Sequence, residues 1–124
     1  MLEAYQIILT KEDRDFINLK RWTDAAKESP KINAYLIMNG INPEFQPEFF
    51  EHYTHVANVE TDDLERALDT LNDHGKDKFT RINDQMKSLS VGDILIDEGH
   101  QAHLVSSVGF VDVQVEEDLV MEPS

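Results

Sequence analysis

The chain has no cysteine at all. That absence excludes disulfides, thiolate zinc sites and thiol catalysis, and it fits a reducing cytoplasm. No apolar run approaches the roughly 18–20 residues that span a bilayer. Met1-Leu2-Glu3-Ala4-Tyr5-Gln6 offers no basic leader ahead of a long apolar block, so a signal peptide is not expected there. Lys and Arg are missing from residues 40–65 and again from 88–124, although those two blocks hold 7 and 8 acids. They account for the net charge of −14, because residues 1–39 balance 6 acids against 6 bases and residues 66–87 add back only one positive charge, with 4 acids and 5 bases. Nucleic acid and anionic membrane both require cations to neutralise phosphate, so neither is an expected direct partner. A protein with a basic surface is.

Glycine and proline are sparse, at 5 and 4, and each marks a boundary. The clearest stretch is 88–116. Ile94-Leu95-Ile96, Ala102–Ser106 and the alternating Val111, Val113 and Val115 are separated by Asp97-Glu98-Gly99-His100 and by Gly109. Runs of this kind, punctuated by glycine and acidic corners, predict a three-stranded antiparallel meander. Upstream, Tyr5–Thr10 reads as a strand. Thr10 and Asp13 have capping-box spacing for a helix over Lys11–Arg21 that buries Phe16, Ile17 and Leu19. A second helical piece, 23–28, stops before Pro30. Ile32–Met38 is short and apolar enough to favour a buried strand. Phe45, Phe49 and Phe50 lie among acids and two prolines, and read as a loop that plugs the core edge. Tyr53–Glu60 is a further strand, and Lys76–Arg81 a polar connection, after which Ile82 and Met86 can add a helical turn. Thr61–His74 is the best helix: Thr61 caps it, Leu64, Ala67, Leu68 and Leu71 form its buried stripe, and Gly75 ends it. The expectation is a single α+β domain over 1–116, with this helix packed on one face of an antiparallel sheet. An acidic, disordered tail follows over 117–124.

Catalytic signatures are absent. No Gly-x-Ser-x-Gly elbow surrounds Ser88, Ser90, Ser106 or Ser107, and Gly92 and Gly109 are too isolated to cradle a phosphate. His52/His55 and His100/His103 are three apart. On a strand that spacing aims the two rings of each pair at opposite faces, so no metal ligand set is assigned. No catalytic residue and no cofactor are assigned either. One charge pattern stands out. Asp62, Glu65, Asp69 and Asp73 recur along the predicted helix opposite its leucines, although like charges a turn apart cost a helix roughly 0.2–0.5 kcal/mol per pair. With Glu44 and Glu48 of the acidic loop they form the candidate partner-binding surface. Their spacing of about 5–6 Å per turn approaches that of phosphates along a nucleic-acid strand.

Tyr53-Thr54-His55-Val56-Ala57-Asn58-Val59 followed by an acidic helix resembles small bacteriophage and mobile-element proteins. Ser88-Leu89-Ser90-Val91-Gly92-Asp93-Ile94 with the later Ser107-Val108-Gly109-Phe110 is similar to the YodL-type domains of plasmid and conjugative-element proteins. There a Ser-Val-(Gly/Ser)-Asp turn precedes a hairpin ending in Gly-Phe. The resemblance spans about residues 50–113 and implies a phage or mobile-element origin more than an activity. For Ser90, Gly92, Asp93, Gly109 and Phe110 it implies a turn-and-hairpin role. The expected function is a non-enzymatic accessory protein of the host-cell cytoplasm, touching a basic protein partner and occluding its nucleic-acid-binding surface. The alternatives are a small His/carboxylate metal-dependent enzyme and a self-associating structural or virion component.

Overall fold

A computed structural model describes residues 1–40, 43–72, 75 and 77–115. Residues 116–124, which include the expected tail, lie outside the described set. The order is β1 (Leu2–Gln6), α1 (Lys11–Lys20), α2 (Trp22–Glu28), α3 (Pro30–Met38), a 3-10 helix (Pro47–His52), β2 (Thr54–Val59), α4 (Leu64–Leu71), β3 (Phe79–Arg81), β4 (Ile94–Ile96), β5 (Ala102–Ser106) and β6 (Gly109–Val113). The fold is α+β. Six strands form one sheet in the order β3-β2-β1-β4-β5-β6, and every neighbouring pair is antiparallel. The meander is β4-β5-β6, as the sequence predicts.

Both faces of the sheet are apolar and both are covered, where one helix on one face was expected. On the first face Leu2, Ala4, Ala57, Val59, Leu95 and Val105 meet Ala67 and Leu71 of α4. On the second, Ile94, Ile96, Ala102 and Leu104 meet Ala34 and Met38 of α3, with Phe49 of the 3-10 helix and Tyr53. A strand covered on two sides has no wet face, which is why Ile94-Leu95-Ile96 runs apolar without alternation. A smaller cluster of Ile17, Ala25 and Ile32 ties α1, α2 and α3 together.

Local chemistry explains where the elements begin. The capping box of α1 forms in full: Asp13 N donates to Thr10 Oγ1 at 3.1 Å, and Thr10 N to Asp13 Oδ2 at 2.9 Å. Only Ile17 of its three expected core residues is buried; Phe16 is half-buried and Leu19 is 78% exposed. Arg21, at φ +73, separates α1 from α2. The segment expected as a strand at Ile32–Met38 is α3. Pro30 ends one helix but also begins the next: it occupies the first turn of α3, and Ser29 Oγ accepts from Ile32 N. Proline is favoured there because the amide it lacks has no partner in a first turn.

Other boundaries also move. β1 starts at Leu2 and ends at Gln6, earlier than the predicted Tyr5–Thr10; Gln6 is still paired with Thr54, and its side chain binds the backbone of Lys87. The α4 cap is Asp63, whose carboxylate accepts from Arg66 N at 3.0 Å, and not Thr61, whose hydroxyl accepts from Asp63 N one turn earlier. Asn72, at φ −107, closes the helix in place of Gly75. Phe79–Arg81, expected as a polar connection, is edge strand β3: Phe79 pairs with Val59 and packs on the first face, while Thr80 and Arg81 stay wet. Ile82 and Met86 bound a single turn and no helix, Met86 N donating to Asn83 O at 3.1 Å.

Two glycines separate steric from conformational need. Gly92 has φ +100, and a Cβ there would lie 2.2 Å from the Met38 carbonyl oxygen; Gly109 has φ +128 and open space around it. Gly92→Ala is expected to cost more than about 3 kcal/mol and Gly109→Ala about 1 kcal/mol, measured by urea unfolding. Equal costs would contradict the packing described at Gly92.

Candidate functional site

The Ser90–Asp93 turn is where the most chain converges. Asp93 N donates to Ser90 O at 3.0 Å, closing the turn. The Asp93 Oδ2 oxygen accepts from Ser90 N at 2.9 Å and from Gln6 Nε2 at 3.0 Å. Gly92 N and Val105 O, then Val105 N and Asp93 O, join the turn to β5 at 2.9 Å each. Tyr53, at the start of β2, donates its hydroxyl to Gly92 O at 2.5 Å. Gln6, itself buried, holds Lys87 at both amide ends: Nε2 donates to Lys87 O at 2.9 Å and Oε1 accepts from Lys87 N at 3.1 Å. One four-residue turn thus pins β1, the end of α3, the start of β2 and the β4-β5 ladder.

Burial pushes the Asp93 carboxyl up to about 7 against the pull of Ser90 N and Gln6. Burial, then the nearby Asp93 charge, pushes the Tyr53 phenol above its ordinary range. The void beside them, between Gln6, Tyr35, Met38 and Asp93, is about 60 Å³. It has room for water but is too small for a substrate. The hydrogen bonds of Ser90, Gly92 and Asp93 all go to their own chain. In the downstream hairpin, Ser106 Oγ donates to Gly109 O at 3.1 Å and Phe110 packs onto the first face.

His103 and His55 are engaged locally. His103 is bracketed, its Nε2 lying 2.9 Å from Asp97 Oδ2 and its Nδ1 2.8 Å from Asp112 Oδ1. The His103 bond, then the Gln101 amide, holds the Asp97 carboxyl below the usual range. Carboxylates on opposite ring nitrogens flank the imidazole and do not converge on a point, and among the described residues no group of three such side chains could hold an ion. His55 stacks on Tyr5 with centroids 4.9 Å apart, and its Nε2 lies 2.6 Å from Asn58 Oδ1. None of these rings meets a serine hydroxyl.

The acidic candidates do not form one row. Asp62 precedes α4 and its cap, and its carboxylate accepts from the Met1 ammonium at 2.5 Å, as Glu98 does at 2.7 Å. Asp73 lies outside the described residues. Glu65 and Asp69 remain on α4, one turn apart and exposed. Glu44 and Glu48 are exposed on the aromatic segment. That segment packs on the second face of the sheet and α4 on the first, so the two acidic pairs lie on opposite sides of the protein. Periodicity in a sequence cannot show a helix beginning two residues late, nor which face a loop will cover.

Sequence reasoning passed over Gln6, because a lone glutamine at a strand end carries no signal until Lys87 is brought to it. The buried acid makes stability depend on pH with a definite sign. The native state keeps the Asp93 proton to about pH 7, whereas a free carboxyl releases it near 3.8. The native state therefore binds more protons in that window, and the contribution of Asp93 to stability falls as pH rises through it. Asp93→Asn retains an acceptor for Ser90 N and Gln6 and cannot ionise. It is expected to match the wild type near pH 4 and to exceed it above pH 7 by roughly 2–4 kcal/mol. Urea midpoints of both proteins across that range check this, and a constant difference would refute it.

No described helix is long and apolar enough to cross a membrane. No family model matches the chain, and neither a curated protein nor a solved structure matches it.

Proposed function

We propose that this protein is a small acidic accessory protein of the bacteriophage or mobile-element type. It works without catalysis, by touching a protein that presents a basic surface. The supporting observation is how its charges are matched. Lys11, Lys20, Lys31 and Arg66 are paired with Asp15, Glu28, Asp13 and Asp77. Among the described residues Glu44, Glu48, Glu65 and Asp69 are exposed with no ion-pair partner, as Glu12, Asp24 and Glu60 also are. But Glu44, Glu48 and Glu65 lie in the block 40–65 that has no Lys or Arg of its own, whereas Arg14, Arg21 and Lys27 offset the acids of residues 1–39. Folding gains nothing from leaving such charges unmatched, whereas a basic partner meets them at little desolvation cost and is steered toward them.

Among the described residues α4 carries two acids of the expected row, Glu65 and Asp69, fewer than imitation of a nucleic-acid strand calls for. The reading therefore rests on charge complementarity to a basic protein and not on phosphate spacing. Binding of this kind weakens steeply with salt, since exposed charges are screened beyond about 10 Å at 0.1 M ionic strength.

The test reverses all four acids together, as Glu44→Lys, Glu48→Lys, Glu65→Lys and Asp69→Lys. All four side chains are exposed, so the urea midpoint is expected to stay near that of the wild type. Partner capture from host lysate at low salt is expected to fall by at least about tenfold, or ~1.4 kcal/mol, and wild-type capture to fall similarly at high salt. Capture unchanged by both the reversal and the salt would overturn the reading.

A further inference from the structure

β6 is the last strand of the sheet, and its outer edge carries no strand among the described residues. Ser106 pairs with Gly109 across a two-residue turn, and the register continues through Leu104–Val111 and Ala102–Val113. In an antiparallel ladder closed this way, Gly109, Val111 and Val113 bond inward to β5. The N–H and C=O of Phe110 and Asp112 then point outward. Val105, opposite Phe110, spends its own backbone groups on Gly92 and Asp93 in the other direction, as that alternation requires.

Beside this edge lies an open groove of about 420 Å³, lined by Pro43, Phe45, Leu104, Val108, Val111 and Val113 among others. Val108 is 93% exposed and Val111 48%. Natural sheets blunt a free edge with Lys, Pro, bulges or a covering element. Asp112 is the only charge on β6, and apolar surface sits next to it. The groove is built from residues 40–65 and 88–124, the two blocks that contain no Lys or Arg. Glu44 is exposed between the lining residues Pro43 and Phe45. The Asp112 carboxylate, 71% exposed, stands on the opposite face of the strand from Val111 and Val113.

We propose that β6 accepts, as a seventh strand, an extended segment of a basic protein in which apolar residues alternate with Lys or Arg. This rests on the reading of the protein as one that contacts a basic partner, and it names where and how. Strand addition supplies main-chain hydrogen bonds at Phe110 and Asp112, and alternate side chains supply the selectivity. One parity of the incoming strand lies against Val111, Val113 and Phe45 and has to be apolar. The other parity stands beside Asp112 and is best filled by a cation. A second copy of this chain fits poorly, because it would set the same acids, Glu44 and Asp112, against each other and brings no Lys or Arg in this region to meet them.

The probe is a synthetic peptide of about ten residues alternating Val and Lys, with an alternating Val–Glu peptide as control. Fluorescence anisotropy gives affinity, and hydrogen exchange reads the amides of Phe110 and Asp112. The Val–Lys peptide is expected to bind and protect those two amides, and the Val–Glu peptide to do neither. Val111→Lys places a charge in the groove without touching the fold, and Asp112→Pro removes an outward donor; each is expected to weaken binding at least tenfold. Val111→Lys carries the test if the proline variant fails to fold. Binding indifferent to Val111→Lys, unprotected amides, or equal binding of the Val–Glu peptide would overturn the proposal. So would a wild-type dimer in light scattering that Val111→Lys makes monomeric. A native partner lost on reversing Glu65 and Asp69 but kept by Val111→Lys would leave the basic-partner reading standing and remove the seventh strand. Peptide binding at β6 alongside salt-insensitive partner capture would do the opposite.

Discussion

The structure depends on a half-buried carboxyl group held inside a turn. Asp93 sits where the turn before β4 passes under the end of α3, so close that residue 92 has no room for a side chain beyond hydrogen. Bringing the chain that near withdraws the Asp93 carboxyl from much of the water around it, and that requires donors, which Ser90 N and the Gln6 amide supply. Gln6 in turn needs its other bonds satisfied, and the Lys87 backbone does so. Ser90 is local to the turn, but Gln6 is distant in sequence from both Asp93 and Lys87. The turn consequently registers the first strand against the meander, and residues 2–6 become the centre of the sheet.

A central β1 with apolar residues on both sides needs cover above and below. α4 provides one side with a short stripe. The other is assembled from α3 and the aromatic segment, where Phe45 and Phe49 meet edge-to-face at 6.3 Å and Phe50 stacks near Tyr53 at 6.0 Å. The same arrangement divides the charge. Acids on α4 and acids on the aromatic segment face solvent on opposite sides, while the helices α1 to α3 hold matched pairs such as Lys31–Asp13 at 2.8 Å. The molecule is acidic in two places and balanced between them. The strand left uncovered at one end of the sheet lies beside one of those places.

What was legible depended on whether a signal was local. The capping box at Thr10 and Asp13, the meander and the stripe of α4 involve residues within a turn or a hairpin of each other, and all of them stand. α3 was misread as a strand because its nine residues carry an all-round apolar pattern, and only Ser29 and Pro30 at its start disclose a helix. β3 was missed because three residues with one apolar side chain make no pattern; pairing with β2 decides it. The row of carboxylates was an extrapolation of helical periodicity past the Asp63 cap.

Residue order alone determined the acidic character, the absence of thiol chemistry, the α+β class and the hairpin of the last strands, since each follows from composition or from short-range periodicity. The tertiary structure alone decided that Asp93 is half-buried, that Gln6 answers it, that His103 lies between two aspartates, and that β6 ends the sheet among the described residues. Those are matters of which distant backbone groups are desolvated together. Desolvation is set by the packing of the whole chain, so no window of neighbouring residues encodes it.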